Sequence, residues 1–448
     1  MSTPTPIRGA TPQTALPYTE QFERLKAGLP GSGLDWVDAL REGGASAFAV
    51  NGFPTVKNEA WRYTNLRPLE KVVFEPAEPR SDAPGFDVLP TVRAAGTSAT
   101  RLVFVDGRFR HDLSSAAGLP NGVEVAGLAD RLAGDPDWIA GRLGRLVDVD
   151  ANPLAALNTA FLGDGAVLRI GRGVEVAEPI ELVYVTLGRE DRATVFHPRT
   201  LIVAEPMSRA VVVEHHVGYG SGVTLANHVV EVDVAEGATL HHYKVQRESG
   251  TAFHLSHGAV RIGKDACYDS FILTVGARLS RNEVRAELAG TGGTCRLNGA
   301  YMVRGQQHVD TSTFIDHAQP HCGSREVYKG AIDDSARAVF QGKILVRRGA
   351  QKTDGHQLNR ALLLSDTAEI DSKPELEIYA DDVKCSHGAT AGELADEQLF
   401  YLRARGIPKD EARGLLIGAF LAEAIEEIPE DTVRENFQAL VAGWLAAR

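Results

Sequence analysis

Cys385 and His387 stand two positions apart in the run Asp382-Val-Lys-Cys-Ser-His-Gly-Ala-Thr390, at the end of a long region dense in strand-forming residues. On an extended strand, side chains at i and i+2 leave the same face, about 6.6 Å apart at a rise of about 3.3 Å per residue. One metal site can take both. A soft thiolate beside an imidazole suits iron, copper or zinc rather than magnesium or calcium. Two ligands leave a four-coordinate metal or an iron–sulfur cluster half ligated, so the missing ligands must come from elsewhere, another chain included. The plainer reading is a small buried Cys385 and a hydrogen-bonded core His387. Lys384 carries charge that favours a thiolate, but strand alternation sends it to the opposite face, which leaves His387 the stronger ligand candidate.

The elements that must position this pair fall into three parts: 1–160, 161–392 and 393–448. In the first, Tyr18 to Phe53 has helical periodicity, with Phe22, Leu25 and Leu29 on one stripe and Trp36, Ala39 and Leu40 on a second. Asp106-Gly107, after Leu102-Val-Phe-Val, predicts a hairpin turn. Asp135 to Leu162 reads as helix broken near Pro153. The whole is a mixed α/β region.

From Ala166 to Gly392, short Val/Ile/Leu/Tyr runs alternate with Gly, Asp, Ser and Arg turns, as in an all-β domain. Ser208-Arg-Ala210, Glu236-Gly-Ala238, Lys264-Asp-Ala266 and Gly292-Gly-Thr294 recur at a constant interval, each before a strand-like run. Such a period predicts a solenoid whose coils bury inward side chains only by stacking. A β-sandwich is the rival. Thirteen of the fourteen histidines lie between His197 and His387, and the step from His215-His216 to His241-His242 equals that from His228 to His254. This near-coil spacing allows stacked histidine ladders, structural or metal-binding.

The last part is helical again: Leu394 to Arg405, a break at Gly406-Ile-Pro408, Lys409 to Ile428 with Leu415, Leu416, Ala419, Phe420 and Ala424 as a stripe, and a final helix after Pro429 bearing Phe437, Leu440, Val441, Trp444 and Leu445. These helices either cap the solenoid's exposed edge or dock a partner.

A net charge of −12 with no Lys/Arg-rich run argues against nucleic-acid or anionic-membrane binding. Four scattered cysteines, Cys267, Cys295, Cys322 and Cys385, with no Cys-x-x-Cys, fit a reducing cytoplasm rather than a disulfide scaffold. Met1 to Pro17 reads as a loose tail lacking the apolar core of a signal peptide. No nucleotide-binding Gly-x-x-x-x-Gly-Lys-[Ser/Thr] run occurs, so any ATPase belongs to a partner.

The run Lys373-Pro-Glu-Leu-Glu-Ile-Tyr-Ala-Asp-Asp-Val-Lys-Cys-Ser-His-Gly-Ala-Thr390, followed by Leu399-Phe-Tyr-Leu-Arg-Ala-Arg-Gly-Ile407, resembles the signature of the SufB/SufD family of iron–sulfur cluster assembly proteins. Asn58-Glu-Ala-Trp-Arg-Tyr-Thr64, Tyr328-Lys-Gly330, Val339-Phe-Gln-Gly-Lys343, Gln351-Lys-Thr353 and Leu362-Leu-Leu-Ser365 stand in the order that family shows. Cys-Ser-His-Gly-Ala-Thr in place of the Glu-His-Glu-Ala-Thr typical of SufB resembles the SufD branch. The position of SufB's sulfur-accepting cysteine is Asn359 here.

The resemblance implies a right-handed parallel β-helix flanked by helical domains, with no catalysis of its own. It implies pairing with SufB, a homodimer in SufB's absence, and a hold on the ATPase SufC through the C-terminal helices. A transient iron–sulfur cluster or iron would then be shared with SufB, with His387 and Cys385 as this chain's metal ligands and none tightly bound to the isolated chain. Two other readings stand beside it. One is a scaffold subunit that binds no metal; the other is a β-helix polysaccharide enzyme using Asp333-Asp334 or Asp381-Asp382 in acid/base work.

Overall fold

The computed structural model describes residues 12–80, 89–92 and 100–447. Of the expected tail, Met1 to Thr11 lies outside the described residues, but Pro12–Leu25 is already helical, so order begins before Tyr18. A second helix, Asp35–Asn51, buries Val37, Arg41, Gly44, Ala47 and Phe48. Its inward stripe is therefore set one residue off the expected Trp36, Ala39 and Leu40. Gly44 makes this packing possible: a Cβ there would lie 2.7 Å from the Ala156 carbonyl oxygen of the crossing helix Pro153–Ala160. Tyr18, Phe48 and Phe53 close the unit edge to face, with ring centroids 5.3 to 5.8 Å apart.

Asp106 and Gly107 adopt positive φ, 44° and 79°, and turn Thr100–Val105 into the antiparallel strand Arg108–Phe109 as expected. The helix expected over Asp135 to Leu162 is not continuous. Gly141 and Gly144 take φ of 72° and 80°, left-handed values that end a helix, and residues 135–152 run as turns. Pro153 starts the next helix instead of breaking one, and Asn152 caps it by accepting from the Leu154 and Ala155 amides.

From Ala166 onward the chain winds into a β-solenoid of about 8 turns. Each coil gives one strand to each of two walls, and strands of one wall pair in parallel with those of the neighbouring coils. Coil length follows the register and is not constant: Thr294 lies against Cys267, whereas Asp354 lies against Gly323, a longer step along the chain. The regular echo in the sequence is this coil, with its turns trimmed in some coils and extended in others. Alternate side chains enter the lumen, where Ile202, Val232, Leu240, Ile262, Leu288 and Ile344 are among the buried contacts.

The histidines do not form in-register ladders. His241 lies against Val211 and His215 against Val245, because this coil is longer than the step that separates the two histidine pairs.

The two ends of the solenoid differ. At the first, Arg108–Phe109 and Val123–Gly127 close the walls with antiparallel pairing. At the last, Glu369–Ile378 and Lys384–Gly392 each pair on one side only, with Arg337–Val346 and Asp354–Leu363. A row of backbone donors and acceptors is left facing outward there.

Three C-terminal helices follow: Asp396–Ala404, Lys409–Ile425 and Asp431–Ala446. The last two lie on the outer face of the second wall. Ile417, Leu421, Ala424, Ile425, Phe437, Val441 and Trp444 pack there against Val213, Tyr243, Val245, Phe271 and Met302. The stripe that meets the wall is thus Ile417/Leu421/Ala424/Ile425, and Leu415 points away, 51% exposed. The first helix buries no residue.

Candidate functional site

Strand alternation on Lys384–Gly392 places Cys385 and His387 on one side, as the sequence implies, and the register sets them against Gly355 and Gln357 of the preceding coil. Cys385 packs partly against the lumen core, and His387 is exposed at the open rim. The absent side chain of Gly355 leaves room here; a Cβ on it would lie 3.6 Å from Cys385 Sγ and 3.7 Å from His317 Nε2. His317 in turn lies 2.8 Å from Ser324 Oγ.

Below His387 runs a column of inward side chains, Gln357 and then Glu326, with Gln357 Nε2 donating to Glu326 Oε2 at 2.7 Å. Burial pushes the Glu326 carboxyl up to about 7, against the hydrogen bond from Gln357. A protonatable carboxyl therefore lies one side chain beneath the rim. The Cys385 thiol is also raised, first by burial and then by the Asp354 charge, with the Gly355 amide opposing. Lys384 does not offset this. Deprotonating Cys385 requires a metal or a partner's positive charge. Asn359, wholly buried, donates from Nδ2 to Ser372 Oγ and accepts the Tyr301 hydroxyl on Oδ1, at 3.0 and 3.3 Å. As an amide it offers no sulfur nucleophile.

The Asp pairs lie at coil corners. Asp334 adopts φ 53° and accepts the Gly305 amide, and Asp382 pairs with Lys352. Both contacts fix a turn.

A second constellation lies in the lumen several coils earlier; its histidines are among those whose near-coil spacing allows ladders, while its carboxylates and lysine carry no such signal. Inward alternation along Arg209–Gly218 brings in Glu214 and His216; Thr224–Val234 adds His228; the following coil adds His242, Lys244, Glu248 and His254. Glu214 holds His216 Nε2 at 3.0 Å and His242 Nε2 at 3.1 Å through its two oxygens. Lys244 Nζ sits 2.8 Å from both His254 Nε2 and Asn282 Oδ1. Burial lowers His216 to about 4 and depresses His228 and His254 too, so these imidazoles are neutral at pH 7. The Glu-x-His at 214 and the His-x-Lys at 242 were the available signal: polar residues at strand period in otherwise apolar runs.

Fold and rim together define a β-solenoid scaffold, open at one end, with a thiol and an imidazole on its last coil. Residues 185–420 match the family described as SUF system FeS cluster assembly, SufBD core domain, and residues 13–182 match the SufBD protein N-terminal region. The chain is 35% identical to the iron-sulfur cluster assembly protein SufD of Escherichia coli, over 87% of this chain and 89% of that one. It is 33% identical to an iron-sulfur cluster assembly SufBD family protein of Synechocystis, over 90% of each. A chloroplastic protein of Arabidopsis thaliana, ABCI7, is 30% identical over 96% of this chain and 90% of its own length. The chain belongs to the SufB/SufD family of iron–sulfur cluster assembly proteins and is SufD-like. No helix among the described residues is long and apolar enough to cross a membrane.

Proposed function

We propose that this chain is the SufD-like subunit of a SufBCD scaffold, working in the cytoplasm, in which the open coil pairs edge to edge with a SufB solenoid. A nascent iron–sulfur cluster, or iron, is then held at the shared edge, with His387 as ligand or proton relay and Cys385 beside it. The SufC ATPase docks on the C-terminal helices, and this chain contributes no catalysis of its own. A homodimer through the same edge is the fallback without SufB.

One observation carries the reading. The strand that bears Cys385 and His387 is also one whose backbone lacks a neighbour on its outer side, so a second solenoid would supply both a pairing strand and the further ligands that a metal there would need.

The test is co-expression with SufB and SufC, followed by iron and sulfide analysis of the complex against this chain alone. Cluster in the complex, with loss in His387→Ala at unchanged subunit stoichiometry, supports the reading. A complex that forms normally and gains cluster regardless of His387 makes the chain a structural partner only. Strictly monomeric behaviour both alone and beside SufB removes the edge-pairing claim.

A further inference from the structure

We propose that Glu214, His216 and His228 hold one divalent transition-metal ion of the iron(II) class inside the solenoid lumen, a site separate from the terminal coil. The two locations lie on different coils, with five strands of the same wall between Arg209–Gly218 and Lys384–Gly392.

The donor set comes first. One ligand atom from each of Glu214, His216 and His228 lies within 4.8 Å of the others, and all three residues are buried. Two imidazoles and one carboxylate form the nitrogen/oxygen set that suits iron(II) and its neighbours, and not magnesium or calcium. Glu214 Oε2 and His216 Nε2 are already 3.0 Å apart, close to the separation of adjacent donors around an ion with bonds of about 2.1 Å.

Outer partners hold the ligands in place. Thr200 Oγ1 lies 2.9 Å from His228 Nε2, and the Tyr184 hydroxyl is 2.6 Å from Thr200 Oγ1. His242 Nε2 occupies the second oxygen of Glu214. Tyr184 stacks on the His216 ring, with centroids 4.8 Å apart. After all this, His228 Nδ1 remains buried with no hydrogen-bond partner. A buried nitrogen left unmatched costs free energy that a metal bond would recover.

A second group, His216, Glu248 and His254, also meets the distance criterion. There, however, Lys244 Nζ stands 2.8 Å from His254 Nε2 and Gln246 already serves Glu248. Both nitrogens of His254 thus face a polar neighbour, Lys244 on one side and Glu248 at 2.9 Å on the other, whereas His228 keeps Nδ1 unmatched, so the first triad is the site.

Because the ligands are enclosed, the ion enters as the coil closes. The test is therefore the full chain produced in minimal medium with cobalt(II) as probe, passed through chelator and analysed for metal and for ligand-field absorption. About one cobalt per chain is expected, unchanged in the Cys385→Ala/His387→Ala double variant and lost in His228→Gln. Thr200→Val leaves all three ligands but frees the His228 ring, and should weaken retention about 10- to 100-fold. Wild-type chain that emerges with only trace cobalt overturns the site, as does cobalt that survives both His228→Gln and Thr200→Val. Cobalt that disappears with the terminal-coil double variant assigns it to the rim instead. Failure of cluster assembly with SufB, by contrast, leaves this result untouched.

Discussion

Arg199 and Glu231 form a wholly buried ion pair, Nη2 to Oε1 at 2.7 Å, that pins the N-terminal unit to the solenoid. Arg199 also donates to Asn158 and Thr159 of the helix Pro153–Ala160, and Glu231 accepts the Gly144 and Leu146 amides. Removing one partner leaves a buried charge unmatched. Glu231→Ala should therefore lower stability by about 3–5 kcal/mol in urea titrations. Glu236→Ala, which breaks an exposed pair with Lys264, should stay within about 1 kcal/mol. Equal effects for the two would mean that the buried pair is not the pin.

Glu326 gives a pH dependence of definite sign. Its carboxyl is raised from 4.5 to about 7 by burial, so folding takes up a proton between those values. Stability from this group is full below about 4.5 and is lost as pH rises through about 7. Glu326→Gln removes the ionisable oxygen while keeping the Gln357 neighbour. In urea titrations it should be more stable than wild type at pH 8, by about 3 kcal/mol, with little gain at pH 5. Buried His197 and His317, lowered to about 3 and about 4, act oppositely. They remain neutral in the fold while the unfolded chain binds protons below about 6.5, so stability falls as pH drops from 6.5 towards 4. The histidine account of acid unfolding fails if His197→Gln leaves the slope in this window unchanged.

How much of this was legible varies by element. Asp106-Gly107 announced its hairpin because positive φ at both positions is a local demand. The solenoid was legible from turn residues at a near-constant interval, and the shared face of Cys385 and His387 from alternation alone. The helix expected from Asp135 does not form because Gly141 and Gly144 take left-handed φ, a demand that apolar periodicity does not carry. In Lys409–Ile425 apolar residues occur all round, so periodicity did not say that Ile417 and Leu421, rather than Leu415 and Leu416, face the wall. The lumen cluster was hidden for a different reason. His216, His228 and His254 meet through offset strands, with ring centroids 5.2 and 4.9 Å apart, and sequence spacing does not carry that offset.

The exposed position of His387 separates chemistry from folding. His387→Ala should leave the stability of the isolated chain within about 0.5 kcal/mol, while iron content of the assembled complex falls by more than the roughly 10-fold that outer-sphere changes cost. Cys385→Ala should have an equal or milder effect, since its thiol is held protonated by burial until a metal displaces the proton. Colorimetric iron and sulfide on both variants decides it. A larger loss from Cys385→Ala than from His387→Ala reverses the ranking.

The C-terminal helices cover the solenoid wall, and the docking role proposed for them can be separated from that cover residue by residue. Phe437 is fully buried, with its ring centroid 5.8 Å from that of Phe271 on the solenoid wall, and Leu421 is equally buried. Deleting Lys409 to Arg448 would strip the wall bare, so loss of partner binding in that truncation would report unfolding as readily as docking. Point variants avoid this. Phe437→Ala should destabilise the chain by about 3–5 kcal/mol. Phe400 and Tyr401, 75% and 56% exposed on a helix that buries none of its residues, are with Leu415 of the next helix the large apolar groups left exposed there. Phe400→Ala/Tyr401→Ala should keep stability within about 1 kcal/mol of wild type yet weaken SufC binding at least about 10-fold, the scale of one aromatic anchor. Urea titration of each variant measures the stability arm, and calorimetric titration of SufC into the folded variant measures the binding arm. If the double variant binds SufC with undiminished affinity, the first helix is not the dock.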